Sequence, residues 1–116
     1  MTTINPTVTF PSSDSVKVVW ATVTENDTAA SYSGLSEYSD RTVQFTGTEG
    51  SSTMTFRGSN DETNFEILND PLGTAISLSS NGLRQILEYT ESVKPVFAGG
   101  SSQSVTVTLV AKRVRG

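Results

Sequence analysis

Cysteine and histidine are both absent from the sequence, and each absence removes a class of chemistry. Without Cys there is no disulfide framework, no thiolate nucleophile and no zinc–thiolate site. Without His there is no imidazole base, no Ser–His pair and no histidine metal ligand. Positive charge is scarce: eight Lys and Arg against twelve Asp and Glu give a formal charge of −4. That balance argues against nucleic acid as a partner, because phosphate binding is driven by cationic side chains. No apolar run approaches the length of a membrane span, and no basic-then-apolar leader follows Met1. A soluble chain made in the cytoplasm, indifferent to redox conditions and without a membrane partner, is the expectation. The G-x-S-x-G elbow, the P-loop and the dinucleotide fingerprint are missing as well. Twelve carboxylates permit an acid–base pair of the glycosidase kind, but Asp61, Glu62, Glu66 and Asp70 fall in turns or at exposed strand positions. No enzyme, no cofactor, no metal and no small-molecule substrate is expected.

What is present points to strands. With 116 residues there is enough chain for one core. Apolar residues make up only 34%, and Ser and Thr together approach the same share. Thr favours strands and Ser favours turns, so the composition leans to an all-β protein with many loops. Residues 42–68 carry the clearest pattern: Val43 and Phe45, Met54 and Phe56, then Phe65 and Ile67 alternate with polar residues. A period of two suits strands with one face on a core and the other in water. Residues 16–24 and 104–113 are two further strands. In the first, Val16, Val18 and Trp20 share one face while Val19 and Val23 line the other. In the second, Val105, Val107, Leu109 and Ala111 align. Trp20 is read as a core anchor. The expected fold is an antiparallel β-sandwich, jelly-roll-like, of seven to eight strands with at most one short helix.

Between these strands the chain reads as follows. Residues 1–15 form an extended N-terminal arm ahead of a single domain over 16–116. Pro6 and Pro11 interrupt a regular ladder there, while Ile4, Val8 and Phe10 are spaced to press onto a neighbour. Either a frayed terminus or a docking arm fits. Residues 25–41 are a long polar connection in which Tyr32, Leu35 and Tyr38 recur at three-residue spacing, to pin the loop or line an interface. Residues 59–64 make a polar turn whose Asn60, Glu62 and Asn64 are oxygen donors, with turn chemistry favoured over calcium. Ala75 to Ser79 is a strand with Ile76 and Leu78 inward. Leu83, Ile86, Leu87 and Thr90 recur at helical spacing, so one or two helical turns are expected there. Pro95 marks the strand at 92–97 as an edge or a bulge.

Several motifs together resemble a family of small structural proteins of tailed bacteriophages. The family carries a V-Q-x-x-G-T-x-G segment, matched by Val43, Gln44, Gly47, Thr48 and Gly50. Its G-S-N-D-G-x-N-(W/F) turn is matched by Gly58, Ser59, Asn60, Asp61, Asn64 and Phe65, with Glu62 where the family usually has Gly. Leu68, Asp70 and Gly73 match its next turn. Val93, Lys94 and Pro95 match its (V)-(R/K)-P strand, Lys94 replacing the commoner Arg, and Gly99 and Gly100 match its G-G loop. The likeness spans roughly residues 16–113. It implies a capsid decoration, or cement, protein on the outer surface of the virion, with the major capsid protein and further copies of itself as partners. A homotrimer is favoured and a dimer is the rival geometry. Candidate contact residues are Ile4, Val8, Phe10, Tyr32, Tyr38, Glu49, Lys94, Lys112, Arg113 and Arg115, the last three forming a basic tail suited to an acidic shell surface. A second reading follows from the same GSNDETNF turn, which also looks like that of discoidin-type carbohydrate-binding modules. On it the chain would be a tail or surface adhesin holding sugar on Trp20, Tyr32 or Tyr38.

Overall fold

The computed structural model of the chain describes residues 2–24, 27–48, 50, 52–99 and 103–113. Among the described residues twelve strands run in chain order: β1 (Thr2–Ile4), β2 (Thr7–Ser12), β3 (Ser15–Val23), β4 (Asp27–Ala29), β5 (Tyr32–Ser33), β6 (Asp40–Thr48), β7 (Thr53–Ser59), β8 (Glu66–Ile67), β9 (Ser77–Leu78), β10 (Gly82–Ile86), β11 (Ser92–Ala98) and β12 (Ser104–Lys112). They assemble into two five-stranded sheets. The first has the order β10-β6-β12-β3-β2 and the second β5-β11-β7-β8, with β9 also paired to β7. Every pairing within them is antiparallel, whereas β1 and β4 form a separate parallel pair. The fold is the expected all-β sandwich, with more and shorter strands than the alternation suggested.

One core lies between the sheets. Val16, Val18, Trp20, Val43, Phe45, Val105, Val107, Leu109 and Ala111 enter it from the first sheet, and Met54, Phe56 and Val93 from the second; all are completely buried. Trp20 meets Phe56 edge-to-face at 6.0 Å, and Phe45 meets Phe97 likewise at 6.5 Å. Such ring pairs add to the gain from burial itself. The Trp20 indole N–H donates to the Ala30 carbonyl at 2.7 Å, which satisfies its one polar group and ties the stretch after β4 to the core.

Three expectations are corrected. Val23 does not share a face with Val19: it is buried with Trp20. Against β12, the stretch from Trp20 to Val23 faces only Val107 to Val105, so β3 holds one extra residue. Thr22, at φ 57°, absorbs that bulge. Ile67 is exposed and Leu68 buried in its place, because β8 is only two residues long. There Leu68 donates its N–H to Phe56 at 2.9 Å and accepts that of Ile76 at 2.8 Å. Finally, residues 82–86 are not helical. They pair with β6 from Gly82↔Phe45 to Ile86↔Arg41. Two helical turns would carry the nucleation penalty for few bonds, while the open edge of β6 supplies a ladder at once.

The N-terminal residues also pair within the chain. β2 extends the first sheet beside β3, and β1 runs parallel to β4. Two glycines of the motifs have steric reasons. A Cβ on Gly47, whose φ is +130°, would stand 2.2 Å from the Ser104 carbonyl oxygen. One on Gly58 would stand 2.4 Å from Thr90 Oγ1 and 2.9 Å from Leu68 Cδ2.

Candidate interaction surfaces

The polar turn after β7 is built around Asp61. Its Oδ1 accepts from Ser59 Oγ at 2.7 Å, Thr63 N–H at 2.9 Å and Asn64 N–H at 2.8 Å, and its Oδ2 accepts from Asn64 Nδ2 at 2.9 Å. These bonds, led by the Asn64 amide and the Ser59 hydroxyl, hold the carboxyl well below the usual range. Both oxygens are therefore engaged by the turn itself, and turn chemistry accounts for the acid. Among the described residues no cluster of acidic side chains is arranged to hold a metal. Glu62 sits at φ 63°, the left-handed conformation that glycine adopts most readily. The turn thus keeps a glycine-like backbone where the family pattern has Gly, and the side chain gains a use. Glu62 accepts from Ser33 Oγ and from Ser92 Oγ, the latter at 3.2 Å. Asn60 Oδ1 accepts the Glu91 N–H at 3.1 Å. The turn is clamped onto β5 and the start of β11.

A second cluster pins the 34–40 connection. Arg41 is fully buried, its Nε donating to the Tyr38 carbonyl at 2.6 Å and its Nη2 to the Leu35 carbonyl at 2.9 Å. Its guanidinium lies 4.7 Å from the centre of the Tyr89 ring, and burial pulls its pKa down while Tyr89 and Glu91 oppose that. The Tyr89 hydroxyl donates to the Ser36 carbonyl. Leu35 and Tyr38 are buried, so the three-residue spacing pins the loop rather than presenting it. Nothing in the sequence marked Arg41 for burial.

The ten candidate contact residues fall into separate places. Ile4 and Val8 are half-buried and pack on the core; Phe10 on β2 is 63% exposed. Tyr32 is half-buried beside Gly34, and burial, then Tyr38, raises its pKa. Tyr38 is covered by Arg113, whose guanidinium carbon stands 5.6 Å from the ring centre. Arg113 also meets Glu37 at 3.5 Å and donates its N–H to Asp14 at 2.8 Å. It belongs to the fold and is not a free basic tail. Lys112 is exposed at the end of β12, in register with Asp40. Lys94 places its ammonium 4.4 Å from the Phe65 ring centre. Glu49 and Arg115 lie outside the described residues. Trp20 is completely buried and Tyr38 nearly so, so two of the three aromatics on which a sugar was expected to stack have no free face.

Sequence reasoning missed most of the exposed apolar surface. Leu72, Leu83, Leu87, Tyr89 and Ile67 are all exposed. Their stretches are partly tied together: Leu87 N–H donates to Asn69 at 2.8 Å, and Asn69 donates in turn to Glu88. The helical period assigned to Leu83 and Leu87 hid them.

No family model and no curated protein matches the sequence. Among solved structures, the SPBc2 prophage-derived protein YomS aligns with a TM-score of 0.64 at 12% identity, over 89% of this chain and 98% of that one. Protein NMB1881 from Neisseria meningitidis aligns with a TM-score of 0.39 at 8% identity, over 92% of this chain and 81% of that one. At such identity the likeness to YomS is one of fold, and it extends over nearly the whole of both chains.

Proposed function

We propose that the chain is a bacteriophage capsid decoration protein, which binds the outer shell as a homo-oligomer, a trimer in the favoured geometry, and bridges neighbouring major capsid proteins. The observation that carries this reading is the near end-to-end likeness of fold to a prophage-derived protein, taken with the ordered phage-type motifs in the sequence. The chemistry agrees with it. The polar turn and the buried arginine each have a structural employment, and a cement protein works through contacts rather than through a reaction. Exposed apolar side chains at Phe10 on one edge of the first sheet and at Leu83 on the opposite edge are surfaces that oligomerisation would cover. Cryo-microscopy of particles carrying the chain tests the proposal: density at symmetry axes of the shell is expected, and density confined to tail fibres overturns it. The native mass of the purified chain tests the oligomer, three copies being expected and two replacing the trimer with the two-fold geometry.

A further inference from the structure

Strand β10 is an open edge of the first sheet: it pairs with β6 on one side and, among the described residues, with no strand on the other. Which of its backbone groups are free follows from the register across the sheet. Arg113, just past β12, donates its N–H to Asp14, just ahead of β3. The odd residues of β12 therefore bond β3 and the even ones bond β6. Arg41, Val43 and Phe45 are left to bond Ile86, Arg84 and Gly82, so Leu83 and Gln85 point their N–H and C=O groups outward. Leu87 agrees, because its N–H goes to Asn69 at 2.8 Å and not to β6. The Leu83 carbonyl accepts from the exposed Arg84 Nη1 at 2.9 Å and keeps a second lone pair. The opposite edge of the sheet, β2, is guarded: Pro6 precedes it, Pro11 lies in it, and its register slips between Thr9 and Ser12. β10 has no proline and an unbroken register. The exposed leucines of the described chain, Leu72, Leu83 and Leu87, gather at this rim, Leu72 on the turn that Asn69 ties to Leu87.

We propose that β10 pairs antiparallel with β10 of a second copy across a two-fold axis at Leu83, a contact that goes beyond the decoration reading and stands without it. The two first sheets then run on as one. The strand is self-complementary in that register. Leu83 faces Leu83 of the second copy, Gln85 faces Asn81, and Arg84 faces Gly82. Two apolar side chains meet at the axis with amide side chains on either side, and each guanidinium stands opposite a residue that has no side chain. The neighbouring registers fail. An axis at Arg84 sets two arginines opposite each other, and like charges so placed destabilise a pair. An axis at Gln85 calls on the edge at Leu87, which Asn69 already occupies. No carboxylate lies on β10. A chain of net charge −4 thus meets its copy where its excess charge is absent.

The absence of cysteine allows a direct test on the whole chain. Residues hydrogen-bonded across an antiparallel pair stand about 5.5 Å apart between Cα atoms, within disulfide reach. Under mild oxidation Leu83→Cys is expected to form a linked pair of chains about tenfold faster than Gln44→Cys. Gln44 adjoins Leu83 on β6, yet across the contact it lies three strand spacings, about 14 Å, from its counterpart. Gln85→Pro removes an outward N–H and no bond to β6. The wild type is expected to show twice the native mass of this variant at equal concentration, whether the variant is a monomer or a trimer. The contact itself should weaken about thirtyfold, the loss of two main-chain bonds. Equal linking of the two cysteine variants, or equal masses of the wild type and a folded Gln85→Pro, overturns the β10 contact. Should Gln85→Pro fail to fold, cross-linking decides alone. Either negative result leaves the decoration reading standing, because that is read from density on the shell.

Discussion

The two sheets share one core and are built in different ways. In the first, β3, β6 and β12 are nine residues each, with β12 paired along its length on both sides. In the second, β7 and β11 of seven residues are flanked by two-residue pieces, β5, β8 and β9. Long ladders fix register through many cross-strand pairs at once. Short pieces are fixed instead by side-chain clamps, here Glu62 on Ser33 of β5 and Asn60 on Glu91 ahead of β11, and by backbone bonds at Leu68 and Ile76. The difference teaches a division of labour: the first sheet holds its register over long strands in spite of the bulge in β3, and the second is completed by short pieces that turns and side chains tie down.

The comparison is broken most severely at Gly47, where β6 passes β12. Gly47→Ala is expected to lower stability by about 3 kcal/mol, since its φ of +130° and a carbonyl oxygen at 2.2 Å leave a Cβ no room. Chemical denaturation reads this directly, and a loss below about 1 kcal/mol would show that β6 shifts freely. Arg41→Ala follows, with an expected loss of about 2 kcal/mol, because two carbonyls in the 34–40 connection lose their buried donor. Faster proteolysis within residues 34–40 should accompany it; an intact loop with unchanged stability would mean that Tyr89 and Leu35 pin it alone. Thr22→Gly runs the other way. Relief of a β-branched residue at φ 57° outweighs the backbone entropy of glycine, and a gain of about 0.5 kcal/mol is expected, visible as a higher melting temperature.

The smallest effect concerns the clamp of the second sheet and depends on pH. The folded pKa of Asp61 lies below its ordinary value of 3.8, so its contribution is present above that value and disappears as pH falls through the lower folded one. The carboxyl is exposed, which keeps the effect small. Asp61→Asn should melt slightly below the wild type at about pH 6, and the gap should close on acidification. A gap that persisted unchanged to about pH 2 would assign the difference to geometry rather than charge.

These two modes of construction also explain how much was legible in the sequence. Val43, Phe45, Val105, Val107 and Leu109 announce the first sheet because long strands repeat their alternation often enough to be read. Pro95 points to an edge or a bulge, whereas β11 lies between β5 and β7 in unbroken register; proline fits there because β5 reaches only as far as Val93 and no ladder donor is required at 95. Val23 was misplaced because a single-residue bulge reverses the parity of everything beyond it, and Ile67 because a two-residue strand carries no period. Leu83 and Leu87 fit a helix in spacing, but the unpaired edge of β6, formed by residues some forty positions earlier, decided otherwise. Glu62 could be recognised as a departure from a glycine pattern; that the backbone stays left-handed there, with the carboxylate bonded to two serines, depends on β5 and β11 arriving beside it.

Composition and alternation by themselves determined the class, the single core and the absence of thiol and imidazole chemistry, because these depend on which residues exist and on their spacing along one chain. Only the tertiary structure decided the burial of Arg41, the engagement of Arg113 by Glu37 and Tyr38, and the open edge of β10. Each of these is set by groups distant in sequence, and whether a polar group is satisfied, covered or left open depends on what the fold brings next to it.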